Sequence, residues 1–333
     1  MTLLADRTSD FTTLSKRIRA AGLLDRRPGY YALRFTLVGA LYAGGWAALA
    51  LTGSSWWALL VAAVLAVAYA QVALVAHDLA HRQVFRGRPA SEVFGLLLGN
   101  LGIGMSYGWW MNKHTRHHAN PNHEEHDPDV APDILVWSTR QAREAKGLAR
   151  LVGGWQAVLF FPLLLLEGFN LHVSSARAIG RVKRSKLEGF LLYGHFAAYL
   201  VAVFALLSPG VALAFIAVHQ GLFGLYLGLT FAPNHKGMPT LTGDDELDFL
   251  RKQVLTSRNV RGGVWVDVLL GGLNYQIEHH LFPNMPTPNL RKAQPIVQRY
   301  CAEIGVPYLS ATFVDSYSQA LRHLHAAGAP LRG

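Results

Sequence analysis

Two stretches without charge constrain this chain more than any other feature. Residues 35–76 contain no Asp, Glu, Lys or Arg, and neither do residues 189–235. One helical crossing of a bilayer takes about 20 apolar residues. Each stretch is therefore long enough for two crossings joined by a tight turn. Thr52-Gly53-Ser54-Ser55 supplies the turn in the first stretch and Ser208-Pro209-Gly210 the turn in the second. Trp46, Trp56 and Trp57 stand near the first turn, where an interfacial aromatic belt belongs. Across all 333 residues only 16% are charged and 51% are hydrophobic, against about 25% charged in ordinary soluble domains. The pattern predicts an all-α integral membrane protein with four transmembrane helices.

Both predicted turns are short and uncharged, and nearly all Lys and Arg fall on the other side. The positive-inside rule then puts both termini in the cytoplasm. Residues 1–33 are polar and basic and have no apolar core of a secretory leader. Residues 93–112 and 151–166 are apolar but short, Gly-rich or bounded by charge. They are read as one or two re-entrant or interfacial helices, which leaves four crossings. The formal net charge of +10 comes with no helix-turn-helix, zinc-finger or RNA-binding signature, so nucleic acid is not expected as a partner. Cys301 is the single cysteine, which excludes an internal disulfide and a four-cysteine metal centre. A single domain over 1–333 is expected: a cytoplasmic segment 1–33, a core 34–310 and a tail 311–333.

Fifteen histidines against 21 acids is an unusual ratio, and the histidines are clustered. His77-Asp-Leu-Ala-His81 ends the second predicted crossing. His114-Thr-Arg-His117-His118 follows the Gly-rich segment. Gln276-Ile-Glu-His279-His280 lies beyond the fourth crossing. Spacings of i, i+3 and i, i+4 place side chains on one helix face. With four crossings all three clusters fall on the cytoplasmic side, forming a histidine-rich cap. Imidazole is the commonest metal-ligating side chain, and seven exceed what one ion holds, so two ions are the economical count.

Other candidates surround these clusters. His235, where the fourth crossing returns to the cytoplasm, is an eighth candidate ligand. Asn234 and Gln276 are candidate weak ligands or partners of ligands, and His172 is a further nitrogen. Asp78, Glu278 and Asp127 are candidates to accept the outer N–H of a ligating imidazole. Met105, Tyr107, Trp109 and Trp110 are candidate lining for an apolar substrate tunnel. His195, His219, His323 and His325 are left without a functional role.

His77-x-x-x-His81, His114-x-x-His117-His118 and Gln276-x-x-His279-His280 resemble the three histidine boxes of the membrane-bound fatty acid desaturases. Asn274-Tyr275-Gln276-Ile-Glu-His279-His280-Leu-Phe-Pro283 and Asn234-His235-Lys-Gly-Met-Pro239 fit the same family. The Gln form of the third box is similar to the branch holding front-end and many bacterial acyl-CoA desaturases. The resemblance implies two non-haem iron ions, O2 as co-substrate and two electrons from a partner. It also implies the seven box histidines as ligands, with His235 as the eighth. The implied reaction introduces a cis double bond into an acyl-CoA or acyl-lipid. No His-Pro-Gly-Gly haem motif occurs. A separate donor is therefore expected: a ferredoxin, an iron–sulfur flavin reductase or a cytochrome b5-like protein. Composition rich in Ala, Gly, Leu and Arg points to a bacterial plasma membrane. Rival readings are a lipid hydroxylase or carotenoid ketolase on the same scaffold, a zinc-dependent membrane lipid hydrolase, and a non-catalytic membrane protein.

Overall fold

The structure, a computed structural model, describes residues 2–243 and 245–332. It is mostly helical. Among the described residues four helices are long and apolar enough to cross a membrane: Pro28–Thr52, Ala58–Ala80, Ser185–Leu206 and Pro209–His235. The first begins with Pro in its opening turn, where the missing N–H is no loss. It ends at Gly53, whose φ of 57° lets its N–H close onto Leu49 O. The two turns foreseen between crossings are tied together, the Ser208 N–H donating to Ser54 Oγ at 2.7 Å.

The chain divides into two compact units. The first comprises Met1–Asp25, Lys113–Phe160 and Thr230–Gly333, and the second Arg26–Asn112 and Phe161–Leu229. In the second unit the long helices share a core of Leu49, Leu65, Tyr199, Val203 and Phe215. Small residues set how closely they approach. A Cβ on Gly45 would fall 2.6 Å from Leu65, and one on Gly224 only 2.4 Å from the backbone N of Gly168. Leu51, Leu60, Phe190, Val201 and Leu213 stay exposed on these helices. In water such faces would be a liability; on membrane-crossing helices they are the surface that meets lipid.

The two short apolar stretches do not form straight helices. Arg88–Leu96 runs into a widened π turn, Leu97–Gly102, before the chain bends into Tyr107–Ala119. Asn100 Oδ1 accepts from Tyr107 N across that bend at 3.0 Å. Gly147–Gly153 and Gln156–Leu164 meet at 113°, the geometry of a broken span or a re-entrant loop.

The first unit packs helices Thr2–Ala20, Phe249–Leu255, Gln276–Leu281 and Thr287–Glu303 around Leu14, Ile18, Leu250, Ile277, Leu290 and Cys301. Two three-residue strands, Asn259–Arg261 and Ser310–Thr312, pair in parallel beside them.

Candidate metal centre

In the first unit the Tyr107–Ala119 helix delivers His114, His117 and His118, and the buried helix Gln276–Leu281 delivers His279 and His280. His235 closes the Pro209–His235 helix. The i, i+4 pair works as the spacing predicts: His114 Nε2 lies 3.1 Å from His118 Nε2. His279 Nε2 stands 3.2 Å from that same His118 nitrogen although it is far away in the chain. Beside this trio is a second one. Ring nitrogens of His117, His235 and His280 lie within 4.8 Å of one another, and Nε2 of His235 and His280 are 3.1 Å apart.

Outer partners decide what these nitrogens offer. A neutral imidazole carries one N–H and one lone pair. His117 Nδ1 faces Asp127 Oδ2 at 3.0 Å, His235 Nδ1 faces Thr256 O at 3.0 Å, and His280 Nδ1 faces Gln253 Oε1 at 2.8 Å. Each of these oxygens accepts, so each Nδ1 carries the hydrogen and each Nε2 presents its lone pair. Lone pairs turned toward one another at about 3 Å repel, and a cation between them reverses the sign of the interaction. Six converging imidazoles, with a carboxylate behind one, form a donor set suited to iron and other first-row transition metals. The residues present therefore fit the metal that the histidine pattern implies.

Electrostatics outside the trio agree. Burial alone would lower the His117 pKa, but facing Asp127 and Asp129 raise it. Asp129, itself ion-paired to Lys113 at 2.9 Å, is held well below the usual carboxylate range: Lys113, His117 and Lys236 together outweigh its burial. Lys236 donates to Asp129 O at 2.8 Å and its Nζ lies 4.0 Å from the centre of the Trp137 ring.

The remaining sequence candidates are placed as follows. His77 and His81 stand together at the end of the Ala58–Ala80 helix in the second unit, their ring centroids 4.7 Å apart. Asp78 accepts from Arg34 Nη1 at 2.8 Å, and its other oxygen is 3.7 Å from His77 Nδ1. Asn234 is wholly buried. Its Nδ2 faces Thr230 O, Leu273 O and Gln276 Oε1, which sets the amide's orientation. Its Oδ1 has no hydrogen-bond partner among the described residues, as expected of a carbonyl that a water or cation completes. Gln276 turns its Nε2 toward His235 Nε2 at 2.9 Å. Glu278 faces Asn259 Nδ2 and the Tyr308 hydroxyl, each at 2.7 Å, rather than an imidazole, and burial pushes its carboxyl up to about 7. On a helix Glu278 projects about 100° away from His279, which explains why it braces the helix instead. His172 uses both ring nitrogens within the second unit, on Gly104 O at 2.8 Å and Gln220 Oε1 at 2.9 Å.

Sequence reasoning missed Gln253, Thr256 and Asn122. Gln253 also donates to His118 O at 3.0 Å, so one amide serves two histidine clusters. Asn122 adopts φ 56° and donates its N–H to Asp127 Oδ2 at 2.8 Å and its Nδ2 to His235 O at 2.9 Å. An Asn in a left-handed turn just after a histidine cluster is the one local signal that was available.

Of the tunnel candidates, Tyr107 and Trp109 line a cavity of about 1250 Å³ in the second unit, together with Leu79 and Leu96. Met105 is buried in the bend, and Trp110 packs on His77 at 5.8 Å. Glu188 forms part of the cavity wall, and its carboxylate takes the Ser106 hydroxyl at 2.7 Å and the Gly108 N–H at 3.1 Å.

Comparison with known proteins adds an independent finding. A family model described as "Fatty acid desaturase" matches residues 54–312. An acyl-lipid (9-3)-desaturase of Physcomitrium patens is 31% identical over 310 residues, covering 89% of this chain and 58% of the relative. Delta(6)-fatty-acid desaturase fat-3 of Caenorhabditis elegans is 29% identical over 288 residues, covering 80% of this chain and 64% of the relative. Fatty acid desaturase 3 of Bos taurus is 29% identical over 328 residues, covering 96% and 73%. The chain thus spans 58% and 64% of the length of the first two of these relatives.

Proposed function

Since the chain belongs to the fatty acid desaturase family, we propose that it is an O2-dependent desaturase that introduces a cis double bond into the acyl chain of an acyl-CoA or acyl-lipid. The observation that carries this reading is the pair of imidazole trios, in one of which Asp127, Thr256 and Gln253 set the tautomers of His117, His235 and His280. The proposed ligands of two iron ions are His77, His81, His114, His117, His118, His235, His279 and His280. For His77 and His81 the support is the first histidine box and the family.

An unactivated methylene has no proton that a side-chain base can remove. Bound iron supplies the oxidising chemistry with O2 that breaks such C–H bonds. The balance is simple: two hydrogens leave adjacent carbons, two electrons and two protons arrive, and one O2 becomes two waters. A separate protein, such as a ferredoxin or an iron–sulfur flavin reductase, is the proposed electron donor. The chain's own residues hold His117, His235 and His280 in one tautomer and give the acyl chain an apolar wall at Leu79, Leu96, Tyr107 and Trp109. The distribution of Lys and Arg supports a cytoplasmic location for the histidine clusters, and the whole catalytic module works as one domain.

Expression in a bacterial host with a ferredoxin–reductase pair tests the reading. Cellular fatty acids are compared with those of a His118→Ala control by mass spectrometry that locates double bonds. A new unsaturated acid, absent from the control, is expected. A new hydroxy acid in its place would redirect the chemistry, and a purified protein holding zinc without iron would overturn the di-iron assignment.

A further inference from the structure

The last turn of the Pro209–His235 helix carries His235, and its carbonyls need partners. The last four C=O groups of a helix have no donor within the helix. Pro233 sits in that turn and has no N–H of its own. Ala232 O is taken by Lys236 N at 3.1 Å and His235 O by Met238 N at 3.1 Å. Gly237, at φ 83°, turns the chain away there. The two carbonyls between are closed by one residue distant in the chain. Arg258 donates its backbone N–H to Asn234 O at 2.9 Å and its Nε–H to Pro233 O at 2.6 Å, and its Nη2 reaches Lys236 O just beyond the turn.

Arg258 is wholly buried, and among the described residues it forms no ion pair. Burial lowers its pKa to about 10, so it is still charged at neutral pH. A buried cation without a carboxylate is costly, and a packed apolar side chain of similar size would avoid that cost. Its use lies in what it faces: the negative end of a helix dipole, and carbonyls that a guanidinium fork can span. The fork is itself anchored, with Nη1 on Gln319 Oε1 at 2.7 Å and Nη2 on Ser316 O at 3.2 Å, both in the Phe313–Ala327 helix. The next residue does the same for the other ligand-bearing helix. Tyr275 leaves the start of Gln276–Leu281 without a side-chain cap. Asn259 Oδ1 accepts from Ile277 N there at 2.9 Å, and the Asn259 backbone is fixed in the parallel strand pair.

We propose that Arg258 and Asn259 are positioning residues: together they clamp the helix end that carries His235 against the helix that carries His280. The two Nε2 atoms so held lie 3.1 Å apart with lone pairs facing. That arrangement pushes His235 away unless its helix end is fixed. A frayed last turn lets the ring swing out, whereas a capped one keeps it in place before any cation arrives. Gln253 and Thr256 act on ring nitrogens and set the tautomer. Arg258 and Asn259 act on backbone and set the distance. That the cation is iron rests on the desaturase reading; the two caps do not.

The metal-free full chain, purified in detergent, is titrated with Co2+, whose absorption reports ligation by imidazole. The variants are Arg258→Met, Arg258→Lys, Asn259→Ala, His235→Ala and the double Arg258→Met/His235→Ala. Arg258→Met is expected to lose about 10- to 100-fold in affinity at the site that His235 serves and to leave the other site as in the parent. Arg258→Lys, with the charge but no fork, is expected to fall between the two. Asn259→Ala is expected to weaken both sites, since its helix carries His279 for one trio and His280 for the other. The double variant is expected to bind no worse than His235→Ala, because Arg258 acts through that ring. A residue that merely supported the fold would give losses that add and that touch both sites. Additive losses overturn the proposal, as does a Co2+ affinity in Arg258→Met and Arg258→Lys equal to the parent's. Should Arg258→Met fail to fold, Arg258→Lys takes its place in the double variant. Hydrogen exchange on the metal-free chain separates the clamp from the metal reading. Exchange about tenfold faster at residues 230–238 in the Arg258 variant, with 58–80 unchanged, is expected. A parent that binds no Co2+ contradicts the metal reading and leaves the clamp to this exchange result. Exchange unchanged at 230–238, or faster throughout the chain, overturns the clamp.

Discussion

An acceptor at one ring nitrogen of a histidine fixes where its hydrogen sits and leaves the other nitrogen's lone pair free for a metal. For His280 that is Gln253, whose amide also holds the backbone of His118. Gln253→Leu keeps the size of the side chain and removes both bonds. Loss of such a partner typically lowers metal affinity or activity about 10- to 100-fold, and that range is expected here. Iron stoichiometry and fatty acid conversion measured on the same preparation check it; full iron loading with undiminished conversion would contradict the role given to Gln253. The histidines themselves were legible because each cluster is local in sequence. Gln253, Thr256 and Asn122 were not, because a glutamine, a backbone carbonyl and a loop asparagine carry no pattern until the fold brings them to a ring nitrogen.

Elements follow the same division. The crossings were legible because a helix in a bilayer sums hydropathy over about 20 neighbouring residues, and the structure's long helices start and stop within a few residues of the turns foreseen. The Gly-rich segment before the second cluster was readable only as short and apolar. Its π turn and its bend depend on Asn100, Ser106 and Glu188 meeting across the fold. Close helix approach is equally invisible from one strand of sequence. Gly224 sits where a Cβ would fall 2.4 Å from the backbone N of Gly168 and 2.7 Å from Leu164 O. Because backbone cannot step aside as a side chain does, Gly224→Ala is expected to destabilise the protein by about 1–3 kcal/mol. Thermal melts in detergent measure it, and a melt matching the parent would mean that the helices separate freely.

On the scale of the molecule, a metal held by these histidines would be coupled to the fold. The converging lone pairs of His117, His235 and His280 are unfavourable without a cation, so a metal binds the folded chain better than the unfolded one. A ligand present at about a hundred times its dissociation constant adds roughly 2.7 kcal/mol. Removal of iron with a chelator is therefore expected to lower the melting temperature by several degrees, with recovery on adding Fe2+ back under reducing conditions. A melt indifferent to chelation would show that the histidines rest in this arrangement without a metal.

What the sequence determined by itself was local and additive. Charge-free stretches specify membrane helices, and i, i+3 and i, i+4 histidines specify clusters that share a face. What only the tertiary structure decided was pairwise and distant. It placed His279 against His118 and His280 against His235, and chose Glu278 as a brace and Asp127 as an imidazole partner. The reason is physical. Hydropathy and helical spacing act between neighbours in the chain, whereas a hydrogen's position on an imidazole depends on whichever acceptor the folded chain brings within about 3 Å.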